Sequence, residues 1–266
     1  MKDTMKQFTK KCLRYFGYDI VRLSLDMTDE EKEILLTVSP FTMTDAARVV
    51  CLIRATQYIV ENRIEGDFAE CGVWRGGSMM AVAHTLKRMG DTTRKLYLYD
   101  TFAGMSAPTG RDIRFDGVTA HELIQTVYKD PGSWRYADKR EVTKNILSTG
   151  YPERNVLLIE GKVEETVPRT TPTQICLLRL DTDWYESTKH ELTHLYPKVV
   201  KNGVLIIDDY GHWMGSKQAT DEYFSQGAVK PFLHRVGYDC RVIVKTDEHL
   251  RQPAEPMSSQ LQNGKR

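Results

Sequence analysis

Short apolar runs alternate with longer amphipathic stretches through most of this chain. Strands are predicted at about residues 67–72, 95–100, 156–159, 175–180, 204–207, 229–235 and 239–245. One helix is predicted to begin at Thr44 as its N-cap, and others at about 77–89, 119–129, 138–149, 184–200 and 216–226. Strands that are apolar at nearly every position are typical of a parallel sheet covered by helices on both faces. The pattern therefore predicts an α/β fold with a mostly parallel, seven-stranded sheet.

The two ends of the chain and one internal stretch do not follow this alternation. Residues 1–40 predict an N-terminal helical extension that acts as a dimer or lid arm, with a membrane-surface helix as the alternative. Residues 41–250 are predicted to form one domain, which a helical insert or lid interrupts at about 109–150. Residues 251–266 are rich in Pro, Ser and Gln and lack a packable face, so we expect a flexible tail there.

A glycine-rich turn follows the first predicted strand, in the segment Phe68-Ala69-Glu70-Cys71-Gly72-Val73-Trp74-Arg75-Gly76-Gly77-Ser78. Glycine lets a ligand approach the backbone closely, and the helix that begins beyond the turn presents N–H groups to it. The next strand ends at Asp100, where an acid typically binds ribose hydroxyls. Acids beside a ribose and a positive centre suit S-adenosylmethionine, which carries a sulfonium and no phosphate. A packing turn is the alternative interpretation.

Acidic residues stand at the ends of two later strands. Asp181 and Asp183 follow one strand, and Asp208 and Asp209 follow the next. Clustered carboxylates repel one another unless a cation joins them, and oxygen ligands favour Mg²⁺, with Ca²⁺ or Mn²⁺ as alternatives. We predict Asp181, Asp208 and Asp209 as metal ligands and Asp181 also as the general base. Asp183 is the alternative residue for either role. Capping of the following helix by Asp181 or Asp183 is the alternative interpretation.

Four segments, in the same order along the chain, resemble the macrocin-type (TylF-like) sugar O-methyltransferases: Glu70–Ser78, Tyr99–Met105, Leu180–Thr188 and Asp208–Tyr210. The resemblance implies a Rossmann-like class I methyltransferase fold, with S-adenosylmethionine and Mg²⁺ as cofactors. It implies a small-molecule acceptor, a deoxysugar hydroxyl on a glycosylated natural product such as an antibiotic. It also implies a homodimer or a larger homo-oligomer.

The same resemblance distributes roles over individual residues. Metal and base roles fall on Asp181, Asp208 and Asp209, and cofactor binding falls on the following residues: Glu70, Gly72, Ser78 and Asp100. Thr101, beside Asp100, is added to the predicted cofactor site. Glu164 follows another strand end and is predicted to lie beside the adenine, with a surface acid at a helix start as the alternative. An O-methyltransferase for a phenolic or catechol-like acceptor is the alternative function, and a catalytically idle cofactor-binding protein is a further one.

Several residues outside these segments are candidates for acceptor binding. Trp184 stands where the family has a smaller apolar residue, so the acceptor pocket is expected to differ. Trp134 and Tyr136 of the insert predict an apolar acceptor wall, with core packing as the alternative. His212 and Trp213 follow a strand end and are predicted either to contact the acceptor or to form a plain loop.

Two further candidates carry charge. Arg75 is predicted either to orient Glu70, to meet the cofactor carboxylate, or to lie on the surface. The segment His190-Glu191-Leu192-Thr193-His194 fits the H-E-x-x-H pattern of zinc peptidases on a predicted helix. Pro197 ends that helix pattern soon afterwards, and only Glu222 offers a distant third ligand. A solvated helix face is therefore the favoured interpretation for both histidines.

Composition and charge narrow the choice of partners. The 266 residues carry a formal net charge of +1, which gives no electrostatic argument for a nucleic-acid partner. No apolar run is long enough to span a bilayer, and no signal-peptide core follows Met1, so no membrane partner is expected. The five cysteines lack C-x-x-C spacing, and Cys71 and Cys176 fall in apparent buried strands. They indicate reduced thiols in a cytoplasmic protein rather than disulfides or a zinc site.

Overall fold

A computed structural model describes residues 26–128, 136–227 and 230–246 of the chain. The strands are β1 (Asp67–Cys71), β2 (Leu96–Asp100), β3 (Val156–Glu160), β4 (Ile175–Leu180), β5 (Val199–Ile207), β6 (His234–Val236) and β7 (Cys240–Val244). The α-helices are α1 (Asp29–Val38), α2 (Ala46–Glu61), α3 (Gly77–Arg88), α4 (Ala120–Leu123), α5 (Lys139–Ser148), α6 (Val163–Thr166), α7 (Tyr185–His194) and α8 (Met214–Ser225). The predicted N-terminal arm before residue 26, Trp134 and the predicted tail lie outside the described residues.

The strands form one seven-stranded sheet in the order β3-β2-β1-β4-β5-β7-β6. The five strands from β3 to β5 are parallel, and β7 runs antiparallel to both of its neighbours. The chain moves outward from β1 to β3 and then returns to β4, so the order reverses between β1 and β4. Ligands of such sheets bind at the carboxyl ends of the strands beside this reversal. The predicted α/β fold with a mostly parallel sheet is confirmed.

Helices cover both faces of the sheet, as the apolar strands predict. Alternate strand residues belong to two separate apolar clusters, one on each face. The first cluster receives buried side chains from α1, α2, α3 and α5: Ile34, Leu35, Val38, Val49, Ile53, Met79, Leu86, Val142 and Ile146. The second cluster receives Val163 from α6, Leu192 from α7 and Phe224 from α8. Strand β4 is buried at every position, which places its one charged residue, Arg179, inside the protein.

Several predicted boundaries are wrong. Helix α7 ends at His194 rather than near residue 200, because Pro197 sits in a short 3₁₀ turn and β5 already begins at Val199. The strand predicted at 229–235 is reduced to the three residues of β6. The N-cap of α2 is Asp45 rather than Thr44, since the Asp45 carboxylate accepts the Arg48 N–H. The Thr44 hydroxyl instead accepts a hydrogen bond from Arg179 at 3.0 Å.

The state of the cysteines and the apolar length of the helices can be read from the described residues. Cys71 and Cys176 are buried free thiols in β1 and β4, and Cys51 and Cys240 are also free. In ranges 26–128, 136–227 and 230–246, we find no helix with the length and apolar character that crossing a membrane requires.

Candidate active site

The glycine loop after β1 is shaped by close contacts between backbones. Gly72 has φ +82°, and a Cβ atom there would lie 1.9 Å from the carbonyl oxygen of Asp181. A Cβ atom on Gly77 would lie 2.6 Å from the backbone of Phe41. Gly76 is the N-cap of α3 and offers no side-chain cap, so the first N–H groups of this helix are available to a ligand. The loop therefore passes between β4 and the N-terminal segment with no room for larger side chains.

Asp100, at the end of β2, holds this loop in place. Its Oδ2 accepts hydrogen bonds from the N–H groups of Val73 and Trp74 at 2.7 and 2.9 Å, and its Oδ1 accepts the Phe102 N–H at 2.9 Å. Burial raises the pKa of Asp100, whereas these hydrogen bonds lower it. Thr101 donates to the Gly104 carbonyl at 2.5 Å and so closes the turn after β2. Oδ2 already accepts two donors, so Oδ1, which accepts the Phe102 N–H, is the oxygen that keeps acceptor capacity for a further donor such as a ribose hydroxyl.

Two adjoining cavities open at the carboxyl ends of the strands, with volumes of about 260 and 60 Å³. They share five wall residues: Gly72, Asp100, Gly104, Met105 and Asp181. The smaller cavity continues past Thr101 and Gly161 to Glu164, and the larger one continues past Ser78 to the acidic strand ends. An elongated ligand could therefore lie across the shared wall with one end in each cavity.

The acids at the ends of β4 and β5 converge. One carboxylate oxygen from each of Asp181, Asp208 and Asp209 lies within 4.8 Å of the others, and no other such group of three occurs among the described residues. Burial raises the pKa of Asp181 and of Asp209 well above the usual range, and neighbouring carboxylates act in the same direction. The Oδ2 atom of Asp209 is buried without a hydrogen-bond partner. Asp183 lies within hydrogen-bonding reach of Asp209.

The capping alternative for Asp181 and Asp183 is wrong. The N-cap of α7 is Trp184, and no side chain caps the helix from that position. The Tyr185 N–H instead donates to Oδ1 of Asp112, a fully buried acid of the insert, at 2.8 Å. Asp181 and Asp183 are thus left to face the cavity.

Arg179 of β4 is the main residue that sequence reasoning missed. It is 3% exposed and forms ion pairs with Glu70 at 2.5 Å, with Asp181 at 2.7 Å and with Asp208 at 2.9 Å. Glu70 and Arg179 are register partners on the neighbouring strands β1 and β4. The signal was a single arginine inside an otherwise apolar strand, because a buried guanidinium requires carboxylate partners.

Arg48 of α2 is a second support for the acids that the sequence did not reveal. Its Nη1 donates to Asp208 at 2.6 Å and to Asp239 at 3.2 Å. Asp239 lies between β6 and β7, so the contact joins elements that are distant in sequence. Asp208 therefore stands between two arginines, which fix the direction of its carboxylate.

The charges in this region fit a bound divalent cation. Six carboxylates lie close together with two arginines, Arg48 and Arg179. The carboxylates belong to Glu70, Asp181, Asp183, Asp208, Asp209 and Asp239. Four formal negative charges are therefore left without a compensating side chain in this group. The donor set contains only oxygen, which suits a hard cation, and the unpartnered Oδ2 of Asp209 is a free ligand atom.

The structure separates Glu70 and Arg75 from the cavities. Glu70 is 1% exposed and lines neither cavity, and burial raises its pKa to about 7 although Arg179 opposes this shift. Arg75 donates to Glu141 at 2.6 Å and to the Pro40 carbonyl at 2.7 Å. It therefore fastens the glycine loop to α5 and to the N-terminal segment, and it does not contact Glu70.

Some of the aromatic candidates line the larger cavity, and one lies away from both cavities. His212 and Trp213 line the larger cavity, with Trp213 packed edge-on against Trp184 at a ring distance of 5.0 Å. The indole N–H of Trp184 donates to the Ser106 carbonyl at 3.0 Å. Tyr136 is 54% exposed and lines neither cavity, so the structure does not bring it to the site.

The H-E-x-x-H segment of α7 does not form a zinc site among the residues that the structure describes. His190 Nε2 lies 2.9 Å from the Val167 carbonyl oxygen, and Glu191 is fully buried beside the Thr182 hydroxyl. Glu222, the suggested third ligand, accepts the Tyr185 hydroxyl at 2.6 Å. Both histidines are half-buried rather than solvated.

A family model described as Macrocin-O-methyltransferase (TylF) matches residues 23–244 of the chain. The matched range includes the whole sheet, the glycine loop and both acidic strand ends. This chain belongs to the TylF family. The predicted family, the predicted α/β methyltransferase fold and the predicted enzyme class, an O-methyltransferase, are thereby confirmed.

Two individual relatives are O-methyltransferases by name. Demethyldecarbamoylnovobiocin O-methyltransferase of Streptomyces niveus is 30% identical over 182 residues, which are 68% of this chain and 67% of the relative. The 8-demethyl-8-(2,3-dimethoxy-alpha-L-rhamnosyl)-tetracenomycin-C 4'-O-methyltransferase of Streptomyces olivaceus is 31% identical over 178 residues, 64% of this chain and 62% of the relative. The matched region thus spans about two thirds of the Streptomyces niveus relative and slightly less of the Streptomyces olivaceus relative. The structure of the O-methyltransferase NovP is similar with a TM-score of 0.66 at 28% identity, covering 77% of this chain and 82% of that one.

Proposed function

We propose that this TylF-family protein transfers the methyl group of S-adenosylmethionine to a sugar hydroxyl of a glycosylated natural product. The transfer would use a hard divalent cation, with Mg²⁺ as the favoured ion. The observation that carries the proposal is the convergence of Asp181, Asp208 and Asp209 within 4.8 Å, beside the glycine loop. The predicted homodimer or larger assembly is part of the proposal.

The cofactor would lie across the wall that the two cavities share. Its adenosine part suits the smaller cavity, where Asp100 can accept ribose hydroxyls and Thr101 and Glu164 form the sides. Its methionine part suits the larger cavity, beside Ser78 and the N–H groups at the start of α3. Glu70 would act indirectly, because it holds Arg179 and does not face the ligand.

Asp181, Asp208 and Asp209 would hold the divalent cation, which when bound lowers the pKa of a hydroxyl that it contacts. Asp181 is the general base in this proposal, since it lies in the wall of both cavities and keeps 28% of its side chain exposed. Asp181 would take up the hydroxyl proton as the methyl group passes to the acceptor oxygen and the sulfonium leaves as a neutral thioether. Arg179, at 2.7 Å, keeps that carboxylate in one orientation.

A sugar acceptor is supported by the relatives and by the site. The name of the Streptomyces olivaceus relative specifies a rhamnosyl group and its 4' position. The larger cavity is lined by several carboxylates that can accept hydrogen bonds from sugar hydroxyls. Its rim includes Arg114 and Leu123 of the insert, which supports the expectation that the insert shapes the choice of acceptor.

The proposal is tested by binding and by turnover. Calorimetry should detect S-adenosylmethionine binding to the purified protein, and mass spectrometry of a panel of glycosides should show a methyl-group increase that a chelator abolishes and added Mg²⁺ restores. Asp209→Asn should weaken metal-dependent turnover at least about 10–100-fold. Asp29→Asn, an exposed acid at the start of α1, is the matched control and should change nothing. Methylation of phenols alone, or turnover that survives chelation, would contradict the proposal.

A further inference from the structure

An exposed phenylalanine stands beside the mouth of the larger cavity. Phe115 is 63% exposed, at the tip of a short hairpin in which the Arg114 N–H donates to the Val118 carbonyl at 2.8 Å. The Phe115 N–H donates to the His212 carbonyl at 2.9 Å, and Arg114 forms a β-bridge with Trp213. The insert is therefore tied on this side to the loop after β5, and the ring of Phe115 is held over the rim rather than packed into the core.

Two further rings continue this surface into the cavity. The ring of Phe115 lies 5.8 Å from that of His212 and 6.1 Å from that of Tyr238. The His212 ring nitrogen and the Tyr238 hydroxyl are hydrogen-bonded to each other, and both residues line the cavity. Tyr238 is 46% exposed. These three residues, which we name the aromatic rim, form a partly exposed aromatic surface that begins at the acidic site and ends outside it.

The charge of the cavity restricts what can reach this rim. The lining of the larger cavity includes six aspartates and two arginines, and one of these arginines, Arg114, is already paired with Asp116 through two contacts of 2.6 and 2.9 Å. Six aspartates outweigh the two arginines and one divalent cation in formal charge, so a sugar carrying a diphosphate would bring further negative charge into a cavity that stays negative. A sugar attached to an uncharged apolar group meets no such repulsion, and that group can cover exposed aromatic surface.

We propose that the aromatic rim binds the non-sugar part of the acceptor, and that this part is an uncharged, planar aromatic group rather than a nucleoside diphosphate. The inference rests on the proposed sugar O-methyl transfer and names the substrate class of that same site. Phe115 supplies an exposed face for stacking, while the hydrogen-bonded His212 and Tyr238 hold their rings in fixed directions.

The test compares three probes with the same sugar: 4-methylumbelliferyl rhamnoside, methyl rhamnoside and thymidine-diphosphate rhamnose. Calorimetry in the presence of S-adenosylhomocysteine measures binding apart from turnover. The unaltered protein should bind the umbelliferyl glycoside about tenfold more tightly than the methyl glycoside, and the nucleotide sugar most weakly. Phe115→Ala should remove the tenfold difference, and because the side chain is exposed, the fold should be retained.

Phe232→Ala is the matched control. Phe232 is 82% exposed and precedes β6, at the end of the sheet opposite to the carboxyl ends of the parallel strands. This variant should keep the tenfold difference. Equal binding of the aryl and methyl glycosides, or tighter binding of the nucleotide sugar, would overturn the inference alone.

Two other outcomes have distinct meanings. If Phe115→Ala weakens all three probes equally and lowers the oligomeric mass in light scattering, the rim is a contact between copies of this chain and the inference is overturned. If the unaltered protein binds none of the rhamnosides but methylates simple phenols, the proposed function fails and the inference fails with it.

Discussion

Two parts of this molecule contain residues of the types that bind metals, and the structure treats them in opposite ways. The acids after β4 and β5 are far apart in sequence, yet the carboxylate oxygens of Asp181, Asp208 and Asp209 lie within 4.8 Å of one another. His190, Glu191 and His194 are nearly adjacent, yet Glu191 is buried beside Thr182 while His190 meets a backbone carbonyl. The topology of the sheet, rather than short spacing along one helix, assembles the candidate metal site.

The environment of the charges also differs between these two parts. The strand-end acids are surrounded by Arg48 and Arg179, which partly offset their mutual repulsion. Glu191 hydrogen-bonds to the neutral groups of Thr182 and Cys71, and burial, with the nearby charges of Glu164 and Asp181, raises its pKa well above the usual range. The strand-end acids are thus paired with arginines, whereas Glu191 accepts its hydrogen bond from the Thr182 hydroxyl.

The largest expected effect comes from neutralising the proposed base. Asp181→Asn should keep S-adenosylhomocysteine binding, because the residue would retain its size and its backbone position between the two cavities. Turnover should fall by about 10²–10⁴-fold, the range expected for loss of a general base. Single-turnover assays of methyl transfer, with calorimetry of cofactor binding, provide the measurement. Undiminished turnover would refute the base assignment, and the strand-end acids would then lose their proposed advantage over the H-E-x-x-H segment of α7.

A second large effect is expected on stability when the support of the acids is removed. Arg179→Met should leave Glu70, Asp181 and Asp208 without their shared buried partner. Breaking a buried ion pair costs about 3–5 kcal/mol in the free energy of unfolding. Denaturant unfolding measures the loss, and the double variant Glu70→Gln with Arg179→Met should recover part of it.

Arg75→Met is the control for this second prediction. Arg75 and Glu141 form a pair of similar length, but their side chains are 34% and 39% exposed. Exposed pairs contribute about 0–1 kcal/mol. Equal losses for Arg75→Met and Arg179→Met would show that the buried arginine is not the organising charge of the strand ends.

The sequence predicted the sheet and the acids for one physical reason. Strand Ile175–Leu180 is apolar at all but one position, so its location was clear, and the carboxyl ends of parallel strands meet at one edge. The glycine loop could be predicted because the backbone passes too close to its neighbour at Gly72 for any side chain. The acidic segments could be predicted because binding a hard cation demands oxygen ligands.

The missed residues depend on contacts between distant elements. Arg48 reaches Asp208 and Asp239 from a helix, and nothing in the local pattern of α2 distinguishes that arginine from a surface one. The partner of Glu70 could be identified only from the register between β1 and β4. The end of α7 and the start of β5 were misjudged because β5 contains the exposed polar residues Lys201 and Asn202, which looked like the break between the helix and the strand.

A smaller effect should appear in the pH dependence of stability through Glu191. Its folded-state pKa lies well above 4.5 because of burial, so above that pH the unfolded chain loses the proton first and folding becomes less favourable. Glutamine does not titrate, so Glu191→Gln should gain stability relative to the parent protein as pH rises above 4.5, by up to about 1.4 kcal/mol for each pH unit. Urea unfolding at pH 5 and 8 measures the change. Glu186→Gln, at an exposed position of the same helix, controls for loss of a carboxylate.

The smallest effect is expected for the histidines themselves. Among the residues that the structure describes, the double variant His190→Ala and His194→Ala removes the pattern of a zinc peptidase and one hydrogen bond, that of His190 with the Val167 carbonyl. The free energy of unfolding should fall by about 1 kcal/mol, the typical net contribution of one hydrogen bond. Bound metal, measured by mass spectrometry of the purified protein, and methyl transfer should both be unchanged, because the histidines lie outside the cavity that holds Asp181 and Asp209. Loss of bound zinc together with loss of activity would reverse the comparison and return the helix to the centre of the function.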